Sequence, residues 1–323
     1  MGPTKFRPPA RVTIVAGKGG VGKTTVSATL AYVAARAGLK TLIVEVEGKS
    51  GLPPLFGSEE PLGYAETVLR GAGEICPGSA ELRARTLTPD DALVEYLDSH
   101  GMRRVSRRLT NTGTLDVVAT AVPGIKDILV LGKVKQLEAL SASAAPDAPD
   151  FIVVDAPAAG HAVTFLASAY GLLDAAAVGP IRAQATEVAD LLSDPKRCQV
   201  MLVTIPEETP VNEAADTAFH LEDRAGVQLA PVVVNGVWPH LELTDVAEVD
   251  QLGRPERERA AKAAEFRRQR QRLQEEQLAR LGQMLPLPQI RLPFLFSTEL
   301  TPEDLTVLAD AFEPELAKAQ ESA

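Results

Sequence analysis

The sequence contains little cysteine, and this scarcity excludes two kinds of stabilising framework. Cys76 and Cys198 are the only cysteines among 323 residues, and neither belongs to a CxxC motif or a His/Cys cluster. The sequence therefore offers neither a disulfide framework nor a cysteine zinc site. Two isolated thiols suit a reducing interior, so a cytoplasmic location is predicted.

Long hydrophobic runs, aromatic residues and positive net charge are also lacking. No stretch of about 18 apolar residues occurs, so no membrane span is predicted. The net charge of −10 and the aromatic content of 4% argue against a nucleic acid partner, because such binding needs a basic face or stacking aromatics. Residues 1–10 contain three prolines and no apolar segment typical of a signal peptide, which predicts a short mobile tail.

The chain does contain a regular alternation of short apolar runs and helical patterns. Arg11–Ala16 and Thr41–Val46 have the composition of buried strands, and the helical pattern between them ends at Gly38. This strand–helix–strand unit implies a parallel sheet. Further strands are predicted at Leu115–Ala121, Phe151–Pro157, Gln199–Pro206, Pro231–Val237 and Ile290–Pro293. Further helices are predicted from Thr88 as N-cap, from Pro123, over 254–281 and over 301–316.

The stretch GKGGVGKTT, which follows the first strand and opens the first helix, carries the clearest chemistry. It matches GxxxxGK[ST], the loop whose backbone N–H groups cradle phosphates and whose helix adds its positive end. Lys23 is expected to reach the β- and γ-phosphates, Thr24 to bind Mg²⁺, and Thr25 to approach the α-phosphate. The predicted nucleotide-binding residues here are Gly17, Gly19, Gly20, Val21, Gly22, Lys23, Thr24 and Thr25.

This motif predicts the fold class and the domain organisation. We expect an α/β P-loop NTPase core with a doubly wound, mostly parallel sheet. Residues 11–323 are predicted to form one domain, with an inserted helical subdomain built from about 50–125 and 240–285. The charged helix over 254–281 is either a partner surface or, as its mixed charge favours, a solvated face.

Lys18 has no part in the ordinary motif. A lysine one residue into the loop points away from its own phosphates, so it is a candidate to reach the nucleotide of another subunit. There it would neutralise charge on the β–γ bridge, as an arginine finger does. The alternative is a lysine exposed on the loop without a role.

Carboxylates after two strands complete the predicted site. Asp155 ends the strand FIVVD and is expected to hold Mg²⁺ through water. Glu45 and Glu47 alternate with valines, so both can point to one side. Glu47 lies at the carboxyl end of its strand, where ligands bind in open α/β sheets, and is a candidate to orient the attacking water. Two solvated acids remain the alternative.

Two further polar residues are candidates with open alternatives. Asn235 closes the run PVVVN, and its amide can read a purine edge or cap a turn. Gly160 and His161 follow Asp155, and His161 either senses the γ-phosphate or is a hydrogen-bonded loop histidine.

The loop resembles the deviant Walker A loop of ATPases that include ArsA, MinD and ParA. Within that class VVDAPAAGHAVTFL resembles the switch II of ArsA-like ATPases, where Asp155, Gly160 and His161 match. VVVNGV is similar to the strand that ends in the adenine-reading asparagine, Asn235, and LPF to the adenine-covering loop, at Pro293. The pattern is most similar to the actinobacterial branch.

This resemblance implies a dimeric ATPase that uses Mg²⁺ and hydrolyses ATP to ADP and phosphate. It also implies that the nucleotide state is coupled to an open–closed motion and to the binding of an unknown protein client. Lys18 would act across the interface of a homodimer, or of a heterodimer with a related ATPase. The sequence departs from the family at EGKSG, where Glu47 replaces the switch I Asp, so either Glu47 still positions the water or hydrolysis by this subunit is slow. The tail-anchored targeting CxxC and the arsenite thiols are absent.

Two alternatives therefore stand beside the leading one. The chain is a weakly catalytic regulatory subunit that donates Lys18 to a paralogue, or a positioning ATPase of the MinD/ParA type. The last alternative requires an amphipathic C-terminal membrane helix or a basic DNA-binding face.

Overall fold

An eight-stranded sheet covered by helices on both faces forms the centre of the molecule. The computed structural model describes residues 6–46, 51–99, 101–102, 124–143, 145, 147–175, 178–240 and 253–321. Its strands are β1 (Val12–Gly17), β2 (Thr41–Val46), β3 (Thr67–Arg70), β4 (Leu82–Leu87), β5 (Phe151–Ala158), β6 (Cys198–Thr204), β7 (Val232–Val237) and β8 (Gln289–Pro293).

Nine helices are described along the same residues. They are α1 (Lys23–Arg36), α2 (Leu52–Leu55), α3 (Pro89–Ser99), α4 (Ile125–Ala142), α5 (Ala159–Ala175), α6 (Pro180–Ser193), α7 (Glu208–Ala225), α8 (Arg254–Met284) and α9 (Pro302–Glu321). No helix in these parts of the chain combines the length and apolarity needed to cross a membrane.

The strand order is β3-β4-β2-β5-β1-β6-β7-β8, and every neighbouring pair is parallel except β3 with β4. β1 lies between β5 and β6, with Val12 opposite both Ile152 and Cys198. The carboxyl ends of the parallel strands therefore meet at one edge of the sheet, and the loop after β1 lies near the middle of that edge.

The sheet is buried on both faces, which explains why its strands are nearly continuous apolar runs. Residues that alternate along β1, such as Ile14 and Val15, belong to different halves of the core. One half is filled by apolar side chains of α4, α5, α6 and α7, and the other by those of α1 and α9. This confirms the predicted α/β class with a mostly parallel sheet.

Most predicted elements are found, and the main differences lie between residues 51 and 99. Thr88 caps α3 as predicted, since its Oγ1 accepts a hydrogen bond from the Asp91 N–H at 3.2 Å. The stretch assigned to the helical subdomain contains α2 and α3, and it also contributes β3 and β4 to the sheet. Leu82, Ala84 and Thr86 alternate with Arg83, Arg85 and Leu87 in β4, and all of these residues except Arg83 are buried. The strand predicted at 115–121 and residues 1–5 of the predicted tail lie outside the described residues.

A buried carboxylate joins three elements at the opposite, amino-terminal edge of the sheet. Glu138 on α4 is 1% exposed. It accepts hydrogen bonds from Arg11 Nε, before β1, and from Arg197 Nη2, before β6, both at 2.7 Å. Burial raises the pKa of Glu138, but the hydrogen bonds and charges of Arg197 and Arg11 outweigh burial and bring this pKa below its ordinary value.

We expect Glu138→Gln to lower the free energy of unfolding at neutral pH by about 2 kcal/mol, because two guanidinium groups lose their shared carboxylate. A depressed folded pKa contributes stability above the ordinary value of 4.5, and this contribution is lost as pH falls through the folded pKa. Urea unfolding at several pH values should therefore show the two proteins converging in acid. Glu187→Gln, which removes an exposed partner of Lys135, is the control and should change stability by about 0.5 kcal/mol or less. A constant difference at all pH values contradicts this account.

Candidate nucleotide-binding site

The loop between β1 and α1 is shaped by two glycines that no other residue can replace without strain. A Cβ at Gly17 would lie 2.3 Å from the backbone oxygen of Val203, because β1 and β6 approach closely there. Gly22 has φ +90°, in the left-handed region, and its Cβ would lie 2.2 Å from Asn235 Nδ2. The loop is therefore held tightly against β6 and β7.

The first turn of α1 is arranged to receive an anion. No side chain caps its N-terminus, and the first turn contains no acidic residue. The N–H groups of this first turn and the positive end of the helix dipole consequently point towards the loop. Lys23, the first residue of α1, is 8% exposed and donates a hydrogen bond to the backbone oxygen of Lys18 at 3.0 Å. The ammonium group of Lys23 thus lies across the loop that is predicted to bind the phosphates.

Thr24 and Asp155 form the oxygen pair expected of a magnesium site. Asp155, in the second half of β5, is fully buried. It accepts hydrogen bonds from Thr24 Oγ1 at 2.7 Å and from Ser27 Oγ at 3.5 Å. A hydroxyl and a carboxylate are hard oxygen ligands, and Mg²⁺ in nucleotide sites takes its other ligands from phosphate and water. Among the described residues no group of three or more His, Cys, Asp or Glu side chains is placed to hold a metal ion.

Asn235 supports the loop from the strand β7. Its Nδ2 donates a hydrogen bond to the backbone oxygen of Val21 at 2.9 Å. Pro293 ends β8 and is paired with Val237 at the same edge of the sheet. Asn235 therefore has a structural contact that its predicted role in reading the base did not include, and that role stays a prediction.

Lys18 is directed to α7 and not to the loop. Its Nζ lies 2.7 Å from Glu213 Oε1, and both side chains are 40% exposed. Beside this pair a cleft of about 530 Å³ runs between the loop, α5 and α7, with Gly160, Thr164 and His220 in its lining. Sequence reasoning did not single out Glu213, and the only available indication was its place in the polar segment after β6.

The remaining predicted residues lie near the carboxyl edge of the sheet, except Glu47, which is not among the described residues. Gly160 and His161 begin α5 and are exposed. Val21 is buried and Thr25 half-buried. Glu45 is 1% exposed and accepts a hydrogen bond from Thr86 Oγ1 at 2.8 Å, so the solvated alternative does not hold for it. Glu47 lies outside the described residues.

An aromatic cluster that the sequence did not predict lies beyond Asn235 and Pro293. The Trp238 ring centroid is 5.9 Å from that of Phe294 and 5.4 Å from that of Phe296. The Arg267 guanidinium, from α8, lies 4.5 Å from the Trp238 centroid. Two of the chain's few aromatic side chains, Phe294 and Phe296, are 40% and 68% exposed. The cluster connects α8 to the carboxyl ends of β7 and β8.

Comparison with known proteins supports this assignment. Residues 10–172 match the family described as anion-transporting ATPase. ATPase BagA of Mycobacterium tuberculosis is 34% identical over 242 residues, which cover 74% of this chain and 68% of that protein. The arsenical pump-driving ATPase of Acidiphilium multivorum is 29% identical over 68% of this chain, which is 33% of that larger protein. ATPase get3 of Schizosaccharomyces japonicus is 26% identical over 47% of this chain and 42% of its own length.

The matched residues contain the loop, Lys23, Thr24 and Asp155, which are the parts of the site that the structure brings together. The family match extends over half of the chain, and the mycobacterial similarity extends further. On this basis the chain belongs to the ArsA-like family of ATPases.

Proposed function

We propose that this protein binds ATP with Mg²⁺ and hydrolyses it to ADP and phosphate as a nucleotide-dependent dimer. The observation that carries the proposal is the contact between Thr24 and the buried Asp155, beside an uncapped helix N-terminus. The hydroxyl and the carboxylate hold this corner of the site in place before any ligand arrives. Such preorganised groups are the main source of catalysis in phosphoryl transfer.

Each residue of the site has a separate task in this proposal. The α1 N–H groups and Lys23 bind the phosphates, while Thr24 and Asp155 hold Mg²⁺, which supplies positive charge to the phosphate oxygens. Glu47 orients the attacking water in place of the family's Asp, and its extra methylene makes turnover slow. Asn235 and Pro293 position the adenine.

Lys18 is proposed to act on the nucleotide of the second subunit. Its ion pair with Glu213 is half exposed to solvent, and such a pair contributes about 1 kcal/mol or less. Little free energy is therefore needed to release Lys18 from Glu213. Approach of a second subunit would offer it a phosphate oxygen, with which the bond is stronger than with a solvated carboxylate.

Nucleotide state would be transmitted to a protein client through the loops around the site. Gly160 and His161 lie in the first turn of α5, which follows the end of β5, so contacts with the γ-phosphate would order this turn and hydrolysis would release it. The partner or client surface is proposed to include α8, which the Trp238 cluster joins to the carboxyl ends of β7 and β8.

A second candidate function is a weakly catalytic subunit of a heterodimer with a related ATPase. The replacement of the switch I Asp by Glu47 favours it. A positioning ATPase of the MinD/ParA type receives no such support. Most of the large apolar side chains of the last described helix, α9, are buried against α1 and the sheet, and Val307 is the exception, so α9 presents no apolar stripe that could enter a membrane.

Substitution of the two loop lysines, Lys18 and Lys23, should affect different quantities, kcat for Lys18 and ATP affinity for Lys23. We expect Lys23→Ala to weaken ATP binding about 10- to 100-fold, because a charged hydrogen bond to phosphate is lost. Lys18→Ala should leave binding nearly unchanged and lower kcat about 10³-fold, as loss of a trans-acting cation does. Phosphate release and fluorescent-nucleotide binding measure the two effects. Lys196→Ala, at the amino end of β6, is the control, and equal effects on binding from both loop lysines contradict the assignment.

Gly22→Ala should disturb both the fold and the site. The positive φ costs about 1 kcal/mol for a non-glycine residue, and the clash with Asn235 brings the expected loss of stability to about 3 kcal/mol. Gly73→Ala is a matched control, because Gly73 has φ +82° and no atom within 4 Å of its Cβ position. Urea unfolding should give a much smaller loss for Gly73→Ala. Equal losses of unfolding free energy in the two variants would mean that close contact between Asn235 and the loop does not limit the residue at position 22.

The native mass with Mg²⁺ and ATP distinguishes the two candidate functions. A homodimer from the purified chain, with ATP turnover that Glu47→Gln abolishes, is the expected result. A chain that stays monomeric alone and dimerises only with a related ATPase from its own host instead supports the regulatory subunit.

A further inference from the structure

Glu45 is a buried carboxylate that the proposed function does not use. It lies on β2, is 1% exposed, and its Oε2 accepts a hydrogen bond from Thr86 Oγ1 on β4 at 2.8 Å. The sequence pattern VEVEG presented it together with Glu47, yet only Glu47 lies where switch I is expected. A carboxylate is rarely kept inside a protein without a specific reason, because removing its charge from water is costly.

Its position in the sheet places Glu45 directly beside Asp155. β2 and β5 are parallel neighbours, and Glu45 is paired with Asp155 in their register. Neighbouring strands lie about 4.8 Å apart, and residues in register point to the same face. Ile43 and Val153, two residues earlier on each strand, belong to the half of the core that α1 covers. Both carboxylates therefore face α1, whose first turn supplies Thr24 and the helix N-terminus.

Two carboxylates on one buried face repel each other unless positive charge is close. The dipole of α1 supplies part of that charge, and the magnesium ion of the proposed function would supply the larger part. Magnesium in such sites keeps several of its waters, which need hydrogen-bond acceptors. Asp155 already accepts a hydrogen bond from Thr24. Glu45 lies in register with Asp155 on the adjacent strand, so its carboxylate is a second possible acceptor for such waters.

We propose that Glu45 is a second carboxylate of the magnesium site, which accepts hydrogen bonds from metal-bound water beside Asp155. It is a positioning residue, since it acts on the ion through water, and Thr86 fixes its carboxylate. The inference rests on the proposed function, because it requires that Mg²⁺ binds with nucleotide at Thr24. It assigns the two acids of VEVEG different tasks, Glu45 towards the metal and Glu47 towards the attacking water.

The test is the magnesium dependence of nucleotide binding, which requires no turnover. Binding of a fluorescent ADP analogue is followed while Mg²⁺ is raised from zero, for the full chain and for Glu45→Gln. We expect the half-saturating Mg²⁺ concentration to rise about 10-fold in E45Q, the effect typical of losing an outer-shell partner. Affinity for the analogue in EDTA should change less than about twofold, because the phosphate contacts are intact.

Three further variants make the result specific. Glu81→Gln, an acid before the amino end of β4, should behave as wild type. Thr86→Val, which removes the hydrogen bond to Glu45 and keeps its charge, should shift the Mg²⁺ requirement in the same direction by less. Glu45→Asp carries the test if E45Q does not fold by circular dichroism, and it too should raise the requirement because its carboxylate is withdrawn.

An unchanged Mg²⁺ requirement in folded E45Q, or in Glu45→Asp where E45Q does not fold, overturns the proposal. A change of melting temperature without a change of Mg²⁺ requirement also overturns it, since Glu45 then acts on the fold alone. Wild type that binds the analogue without any Mg²⁺ dependence, or not at all, instead contradicts the proposed function.

Discussion

The parallel alignment of β1 with β5 and β6 is the constraint on which the site depends. Parallel strands present all their carboxyl ends at one edge, so the loop after β1, the second half of β5 with Asp155, and the start of α7 after β6 must meet there. The register then sets the detail, because it brings Asp155 close enough to bond Thr24 on the helix that begins directly after the loop. Burial of both faces of the sheet holds this register, since a slip of one residue would exchange the two halves of the core.

The same edge collects buried polar groups that would be costly in isolation. Asp155, Glu45 and Lys23 are all at least nine-tenths buried there, and each has a hydrogen bond that fixes its direction. At the amino edge the comparable group is Glu138, which two arginines neutralise. The two edges therefore differ in how buried charge is compensated. At the amino edge the charge of Glu138 is neutralised by arginines of the same protein. At the carboxyl edge the buried acids lie beside a helix N-terminus, which favours an anionic ligand and its cation.

Local patterns in the sequence predicted the central strands, the phosphate loop and Asp155 because each depends on neighbouring residues or on a compact motif. Strands buried on both faces are apolar runs, and the loop has its glycines at fixed spacing. The features that were missed depend on contacts distant in sequence. The pairing of Lys18 with Glu213 spans 195 residues and the bond from Thr86 to Glu45 spans 41. The strand β4 was missed as well, because Arg83 and Arg85 interrupt the apolar run that is typical of a strand buried on both faces.

The bond from Asn235 to Val21 has a consequence for how the protein is made. It joins residues 214 positions apart, so the loop that begins at residue 17 cannot reach its final support until β7 has left the ribosome. At about 5–20 residues per second this delay is on the order of tens of seconds. During synthesis the amino-terminal half therefore exists with its phosphate loop unbraced, and the order of translation keeps the site incomplete until most of the sheet has been assembled.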